Sequence, residues 1–461
     1  MISRRLRALA LAVPVALVVA ACGDSPSESE GPLLFWTIED VADRVEAQKR
    51  LLADFTSKTG IQTELVAVAE DQLTTVLTSA AAANDLPDVI GAISLPIMSQ
   101  LHTDQLLDTE TAKSIVDTLG PDTFTEQALR LTRDGDTQLA VPSDGWAQLL
   151  YYRKDLFAQA GLADPTTYEA ITQAAEQLGQ GDMAGIVAAT APGDAFTHQT
   201  FEHIALANGC QLVGDNDQLA LDSPACVEAF RFFSDLIRNH SVQGNQDVDT
   251  TRATYFSGKA AMVVWSSFLL DELAGLRNDT MPTCPECRGD ATFLAKNTGV
   301  VSALAGPGSS TPSTFGEIVS FGVLRDADTE RAKALVEYLM GEGYQGWLAV
   351  GPEGKVPVRP GNGSDPQGNL KMWRTLEAGV DTKAPLSQFY DTRALEAVEG
   401  SPSSFSRWGY AQGQGELAGA VTGQLVLPKA FSDLVNGSGD AQAAARKAQE
   451  EASRIKDELG S

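Results

Sequence analysis

Positive charge is scarce in this sequence. Its 461 residues hold 34 Lys and Arg against 61 Asp and Glu, a formal net charge of −27. That deficit disfavours nucleic acid as a partner, which calls for basic patches. It favours solubility and says little about a substrate. Histidine is rarer still, with four in the chain, and their spacing does not complete a zinc site with the cysteines. After the N-terminal segment no stretch approaches the roughly 20 apolar residues of a membrane helix. GxSxG, HExxH and Walker motifs are all missing, which removes the usual signatures of serine acyl transfer, zinc hydrolysis and P-loop chemistry. There is no internal repeat. No catalytic residue, no metal and no cofactor are expected.

What is present begins with MISRRLRALALAVPVALVVAACG. Arg4, Arg5 and Arg7 form a charged n-region, and residues 9–21 an apolar h-region. This is a secretory signal, too short and wrongly flanked for an ordinary membrane span. Val19-Ala20-Ala21-Cys22 resembles a bacterial lipobox, whose cysteine is lipidated and becomes the first mature residue. Residues 22–31 then form a small, polar, acidic tether. The body is expected at the extracellular face of the bacterial cell membrane, held by a lipid anchor.

Cys22 apart, four of the five cysteines remain, an even number in an oxidising compartment. Cys210 and Cys226 flank a Gly/Asp/Asn-rich segment, and a bridge there closes a loop of about 16 residues, worth roughly 3 kcal/mol in the chain-entropy model. Cys284-Pro-Glu-Cys287 sits in a loop, whereas a redox CxxC belongs where a strand meets a helix N-terminus. A structural disulfide is expected at each pair.

The chain organises around residues 141–162, VPSDGWAQLLYYRKDLFAQAGL. Pro142, Asp144 and Gly145 predict a turn, residues 149–152 a short buried strand, and residues 154–160 a helix closed by Gly161 in a left-handed cap. The turn would deliver Trp146 to the edge of a gap between two bodies. Ahead of this stretch, strand, helix, strand, helix, strand over residues 33–93 argues an α/β fold with a parallel sheet and right-handed crossovers. Ligands sit beyond the carboxyl ends of such strands. Those ends carry Trp36 with Glu39 and Asp40, Glu70 with Asp71, and Ser94. Further on, residues 184–190 read as a strand ending at Asp194, and residues 259–265 as a strand ending at Trp265 and Ser266. Residues 307–314, rich in Gly, Pro and Ser, suit a crossing between lobes.

Several landmarks in order resemble one family. They are Cys22; Pro87-Asp88-Val89; Tyr152-Arg153-Lys154-Asp155-Leu156-Phe157 with Ala160-Gly161-Leu162; Phe256-Ser257-Gly258-Lys259-Ala260-Ala261-Met262; and Gly354-Lys355-Val356-Pro357-Val358-Arg359. Their order over about 430 residues is similar to that of family 1 extracellular solute-binding proteins, the sugar-binding lipoproteins of ABC importers. The resemblance implies a two-lobed type II periplasmic-binding-protein fold with a ligand cleft between lobes joined by several hinge crossings. It implies a signal peptide over 1–21, one lobe of 32–142 plus about 312–383, and a second of 143–311 plus about 384–461. It also implies a monomer that hands a di- or oligosaccharide to ABC permease subunits. The CPEC loop and the loop over 347–367 depart from the family pattern.

Sugars stack their C–H faces on aromatic rings and hydrogen-bond fixed polar groups through their hydroxyls. The resemblance therefore places Trp36, Glu39, Asp40, Glu70, Asp71, Asp144, Trp146, Asp194, Trp265 and Ser266 around the ligand. Arg407 and Trp408 join them from the C-terminal part of the chain, while Lys355 and Arg359 either reach the site or fix a turn. Carboxylates would accept from sugar hydroxyls and Arg407 would donate. Two other functions compete: a secreted glycoside hydrolase, which needs two carboxylates flanking a bond, and a binding protein for glycerol phosphate or another polar solute, with Arg407 on the phosphate.

Overall fold

A computed structural model describes residues 31–460 except Asp215. The signal segment, Cys22 and the tether up to residue 30 lie outside the described residues, as does the side chain of Asp71. The main strands are β1 (Leu33–Thr37), β2 (Thr63–Ala67), β3 (Val89–Ile93), β4 (Val141–Arg153), β5 (Met262–Ser266), β6 (Thr298–Val301), β7 (Thr314–Val323), β8 (Val356–Pro357) and β9 (Phe405–Ser406).

β1 lies between β2 and β3, parallel to both, and helices Ala42–Thr59 and Leu73–Ala83 make the crossovers. Gly60, with φ 79°, ends the first of these helices as the sequence predicts. β3 continues the sheet antiparallel to β7, and β7 antiparallel to β4.

β4 shows why the chain is organised around it. The predicted turn at Pro142, Asp144 and Gly145 is instead part of one 13-residue strand. The register shifts between Pro142 and Asp144, and a bulge is where a strand tolerates proline's missing N–H. Residues Val141 to Ala147 pair with β7; Gln148 to Tyr152 pair with β5, and Leu150 to Arg153 with β6. One strand thus leaves one body of sheet and enters another, and Trp146 stands at the changeover. β7 makes a second crossing: its end pairs with β3 and β4, its start with β9. Helix Lys154–Ala160 and its cap at Gly161, φ 67°, follow as expected.

Each of the two bodies has a group of packed aromatic rings. Phe35, Phe321 and Trp347 pack in the first. Phe201, Phe230, Phe233 and Phe431 pack in the second, beneath the C-terminal helices. The closing helix Ala441–Leu459 packs on helices Val426–Val435 and Pro224–His240 and buries Ala444, Ala445, Ala448, Ala452 and Ile455, a spacing that gives one stripe. Residues 184–190 do not form a full strand; Ala184 and Val187 make single bridges to Ala260 and Val263. Cys210–Cys226 and Cys284–Cys287 are both bridged. Among the described residues no helix is long and apolar enough to cross a membrane, and no group of three His, Cys, Asp or Glu could hold a metal ion.

Candidate functional site

A cavity of about 540 Å³ opens where β4 and β7 change partners. Its size falls within the ordinary range for small-molecule sites. One wall comes from the carboxyl ends of the parallel strands: Ile38 and Glu39 follow β1, Glu70 follows β2, and Ser94, Pro96 and Ile97 follow β3. Asp144 and Trp146 on β4, Glu317 and Val319 on β7, and Gly354 and Lys355 ahead of β8 form the floor. The opposite wall is Gln199, Phe268, Arg407 and Thr422. Trp146 is half-buried, with its ring 6.2 Å from Phe268 and 5.8 Å from Phe315. Phe268 lies over the backbone at Gly354, where an added Cβ would fall 2.0 Å from the ring. That close approach requires glycine.

Two ionic networks fix the polar side chains. In the first, the Lys355 ammonium stands 2.7 Å from Glu39 Oε1 and 3.3 Å from Asp144 Oδ1, and 4.4 Å over the Trp347 ring. Asp144 also accepts from the Trp347 indole N–H at 2.7 Å and the Ser143 hydroxyl at 2.6 Å. Arg44 reaches Glu39 Oε2 at 2.8 Å and Glu353 Oε1 at 3.1 Å. In the second, Arg407 bridges Glu317 and Glu202, and Glu317 accepts from the Leu95 backbone N–H at 2.6 Å. Glu202 continues to His198 at 3.2 Å.

Burial alone would raise the Glu39 carboxyl, but Lys355 and Arg44 outweigh it and hold it at about 2. Burial likewise would lower the Lys355 ammonium, while Asp144 and Glu39 raise it, so it stays charged. For Asp144 and Glu317 burial dominates and pushes the carboxyls up. The sign for Glu39 follows from linkage. Its folded value lies below the ordinary 4.5, so its stabilisation is fully present above about pH 4.5 and is lost as pH falls towards about 2. The difference amounts to roughly 3 kcal/mol at neutral pH. Urea unfolding at pH 3 and at pH 6 should therefore show a smaller acid loss in Glu39→Gln than in the unsubstituted protein; equal acid losses would mean that the carboxyl is not held low.

Of the sequence-predicted residues, Glu39, Glu70, Asp144, Trp146 and Arg407 line the cavity, and so does Lys355. The others do not. Trp36 is buried in the sheet between Val66 and Ile90, and Asp40 is exposed. Asp194 caps helix Ala195–Ala207, accepting from Phe196 N–H at 2.9 Å. Trp265 is buried with its ring 4.6 Å from Phe196, and the neighbouring Ser266 carbonyl accepts from Tyr151. Trp408 is buried too and donates its indole N–H to the Cys210 carbonyl at 2.8 Å. Arg359 ties Leu119, Thr123 and Met340 together and fixes a turn. Sequence reasoning missed Arg44, Gln199, Phe268, Glu317 and Thr422. A signal existed for Glu317, a carboxylate inside the ten-residue buried strand β7, because a buried charge implies a partner.

A family model described as bacterial extracellular solute-binding protein matches residues 50–371. A protein of Escherichia coli (strain K12) named as an ABC transporter periplasmic-binding protein, YcjN, is 25% identical over 336 residues, 70% of this chain and 73% of its own. Among solved structures, the cyclic alpha-maltosyl-1,6-maltose binding protein from Arthrobacter globiformis superposes with a TM-score of 0.70 at 17% identity, covering 92% of this chain and 99% of the other. Maltose-bound MalE3 of T. maritima gives 0.66 at 18% identity, with the same coverages of 92% and 99%. At these identities the solved structures speak for the fold, which is the two-lobed type II periplasmic-binding-protein architecture.

Proposed function

Because the chain belongs to the bacterial extracellular solute-binding protein family, we propose that it is the substrate-binding lipoprotein of an ABC importer. It captures a carbohydrate, a di- or oligosaccharide, in the cleft and delivers it to the membrane permease. The observation that carries this reading is the cavity itself. It is lined from both bodies, with two aromatic rings, Trp146 and Phe268, among side chains already fixed by ion pairs. Rings and fixed polar groups are the two handles that a sugar offers. Maltose-bound MalE3 and the protein named for binding cyclic alpha-maltosyl-1,6-maltose support the same reading.

The lobes comprise 32–142 with about 312–383, and 143–311 with about 384–461. They turn on β4 and β7. Ligand contacts made by both lobes favour the closed state, and that state docks on the permease. The protein works as a monomer and turns nothing over. Against a glycoside hydrolase, Glu39, Asp144 and Glu317 are each held by a cation, which does not suit a general acid and a nucleophile poised across a bond. Against a phosphate ligand, Arg407 is buried between two carboxylates.

A thermal-shift screen of mono-, di- and oligosaccharides tests the ligand class. A sugar at about 100 times its Kd should stabilise the protein by roughly 2.7 kcal/mol, and small-angle scattering should show a smaller monomeric particle when it binds. If no carbohydrate raised the melting temperature while glycerol phosphate did, the reading would be lost. Anchoring has its own test: Cys22→Ser should release the protein into the medium, and a mutant still acylated and membrane-bound would refute the lipobox.

A further inference from the structure

Asp271 is 1% exposed, and neither of its carboxyl oxygens accepts a hydrogen bond among the described residues. It lies on the short helix Leu269–Leu273, three residues after Phe268. Glu353 is buried as well; its Oε1 takes Arg44, while its Oε2 has no donor. It sits in the turn over 351–354, one residue before the glycine that Phe268 covers. That contact seats the start of the helix on the turn. Beyond burial, the charge on Glu353 is the largest influence on the Asp271 carboxyl. Two buried acids with three unpartnered oxygens therefore meet where chain from the two bodies joins.

The charged and titratable groups around the pair are engaged elsewhere. Glu272 has Arg252 at 3.3 Å and Arg277 at 3.9 Å, and Arg277 also holds Asp279 at 3.0 Å. Tyr151 and Tyr390 donate their hydroxyls to the Ser266 and Leu270 carbonyls. On the other side Arg44 is shared with Glu39, Glu39 is shared with Lys355, and Lys383 pairs with Asp43. Burial first, and then the Glu353 and Glu272 charges, push the Asp271 carboxyl well up; Arg277 and the Glu272 backbone N–H offset this in part. Burial raises Glu353 too, against the pull of Arg44. Ionising both acids would bury two like charges together, so the pair keeps a proton in the closed junction.

Resting on the lobe division above, we propose that Asp271 of the second lobe and Glu353 of the first form a proton-held latch: one proton on the pair keeps the junction shut, and its loss to solvent lets the lobes part. Opening returns Asp271 to water and to its ordinary value of 3.8, below its closed value. Its contribution to closure is therefore full below that pH and declines as pH rises to the closed value. Amide exchange and small-angle scattering of the mature, sugar-free protein test this at about pH 5 and about pH 8.5, well above the range in which Glu39 titrates. After correction for intrinsic exchange, opening at residues 269–273 and 351–354 should rise at least about tenfold with pH, and the particle should expand. Asp271→Asn, neutral throughout and a donor to Glu353, should stay closed at both pH values. Should that variant not fold, Glu353→Gln decides instead, because losing its charge must shrink the rise. A rise undiminished in the variant tested, no rise in the unsubstituted protein, or a rise without expansion would each overturn the latch. No sugar enters these readings, so the carbohydrate reading stands or falls separately in its own screen.

Discussion

Lys355→Met is expected to cost the fold on the order of 3–5 kcal/mol, the scale of breaking a buried ion pair from one side, and to lower the melting temperature by several degrees. Methionine fills a similar volume and can lie against the Trp347 ring, over which the lysine ammonium stands, so packing survives. What is lost is countercharge. Asp144 is wholly buried and would keep its bonds from Trp347 and Ser143, but no cation. Glu39 would keep only Arg44. Adding Asp144→Asn to Lys355→Met should recover part of the loss, because two neutral groups bury at less cost than one unpaired charge. Urea unfolding of the two single variants and the double closes the cycle. A single-variant loss below about 1 kcal/mol, the level of an exposed pair, or strict additivity in the double would show that this pair does not brace the cleft.

The sequence carried the scaffold better than the walls of the site. Helix Ala42–Thr59, helix Lys154–Ala160 and the parallel strands β1 to β3 were legible because period, cap and turn signals agree locally. β4 was misjudged because Pro142, Asp144 and Gly145 have turn chemistry. Their meaning changes when β7 lies alongside and absorbs the proline in a bulge. Trp265 was assigned to the cleft from its position at a strand end, and Trp408 from the family resemblance. Position along a strand does not say what covers the ring. Phe196 covers Trp265, while Trp408 lies against His198 and Phe201, all three from helix Ala195–Ala207, an element distant in sequence from both tryptophans. Arg44 was passed over because a lone arginine on an amphipathic helix reads as solvated. It is Glu353, 309 residues away, that draws it into the site.

That distinction among tryptophans gives the sharpest separation of binding from folding. Trp146→Ala should weaken sugar affinity by about 5- to 150-fold, equivalent to losing 1–3 kcal/mol of apolar burial, with the melting temperature nearly unchanged. Its ring is only half-buried, lines the cavity and lies tilted against Phe268 and Phe315. Trp265→Ala and Trp408→Ala should do the reverse. Each leaves a hole in a packed interior, at about 3–5 kcal/mol. Trp408→Ala also strands the Cys210 carbonyl, and Trp265→Ala removes the ring beneath the Arg252 guanidinium, which stands 5.9 Å from its centre. The folded fraction of either variant should bind with nearly normal affinity. Calorimetry with the best sugar from the screen, alongside thermal melts, reads both quantities for all three variants. Should Trp265→Ala hold its melting temperature yet lose the ligand, that ring belongs to the site after all. Should Trp146→Ala bind as tightly as the unsubstituted protein, the sugar does not stack at the changeover of β4.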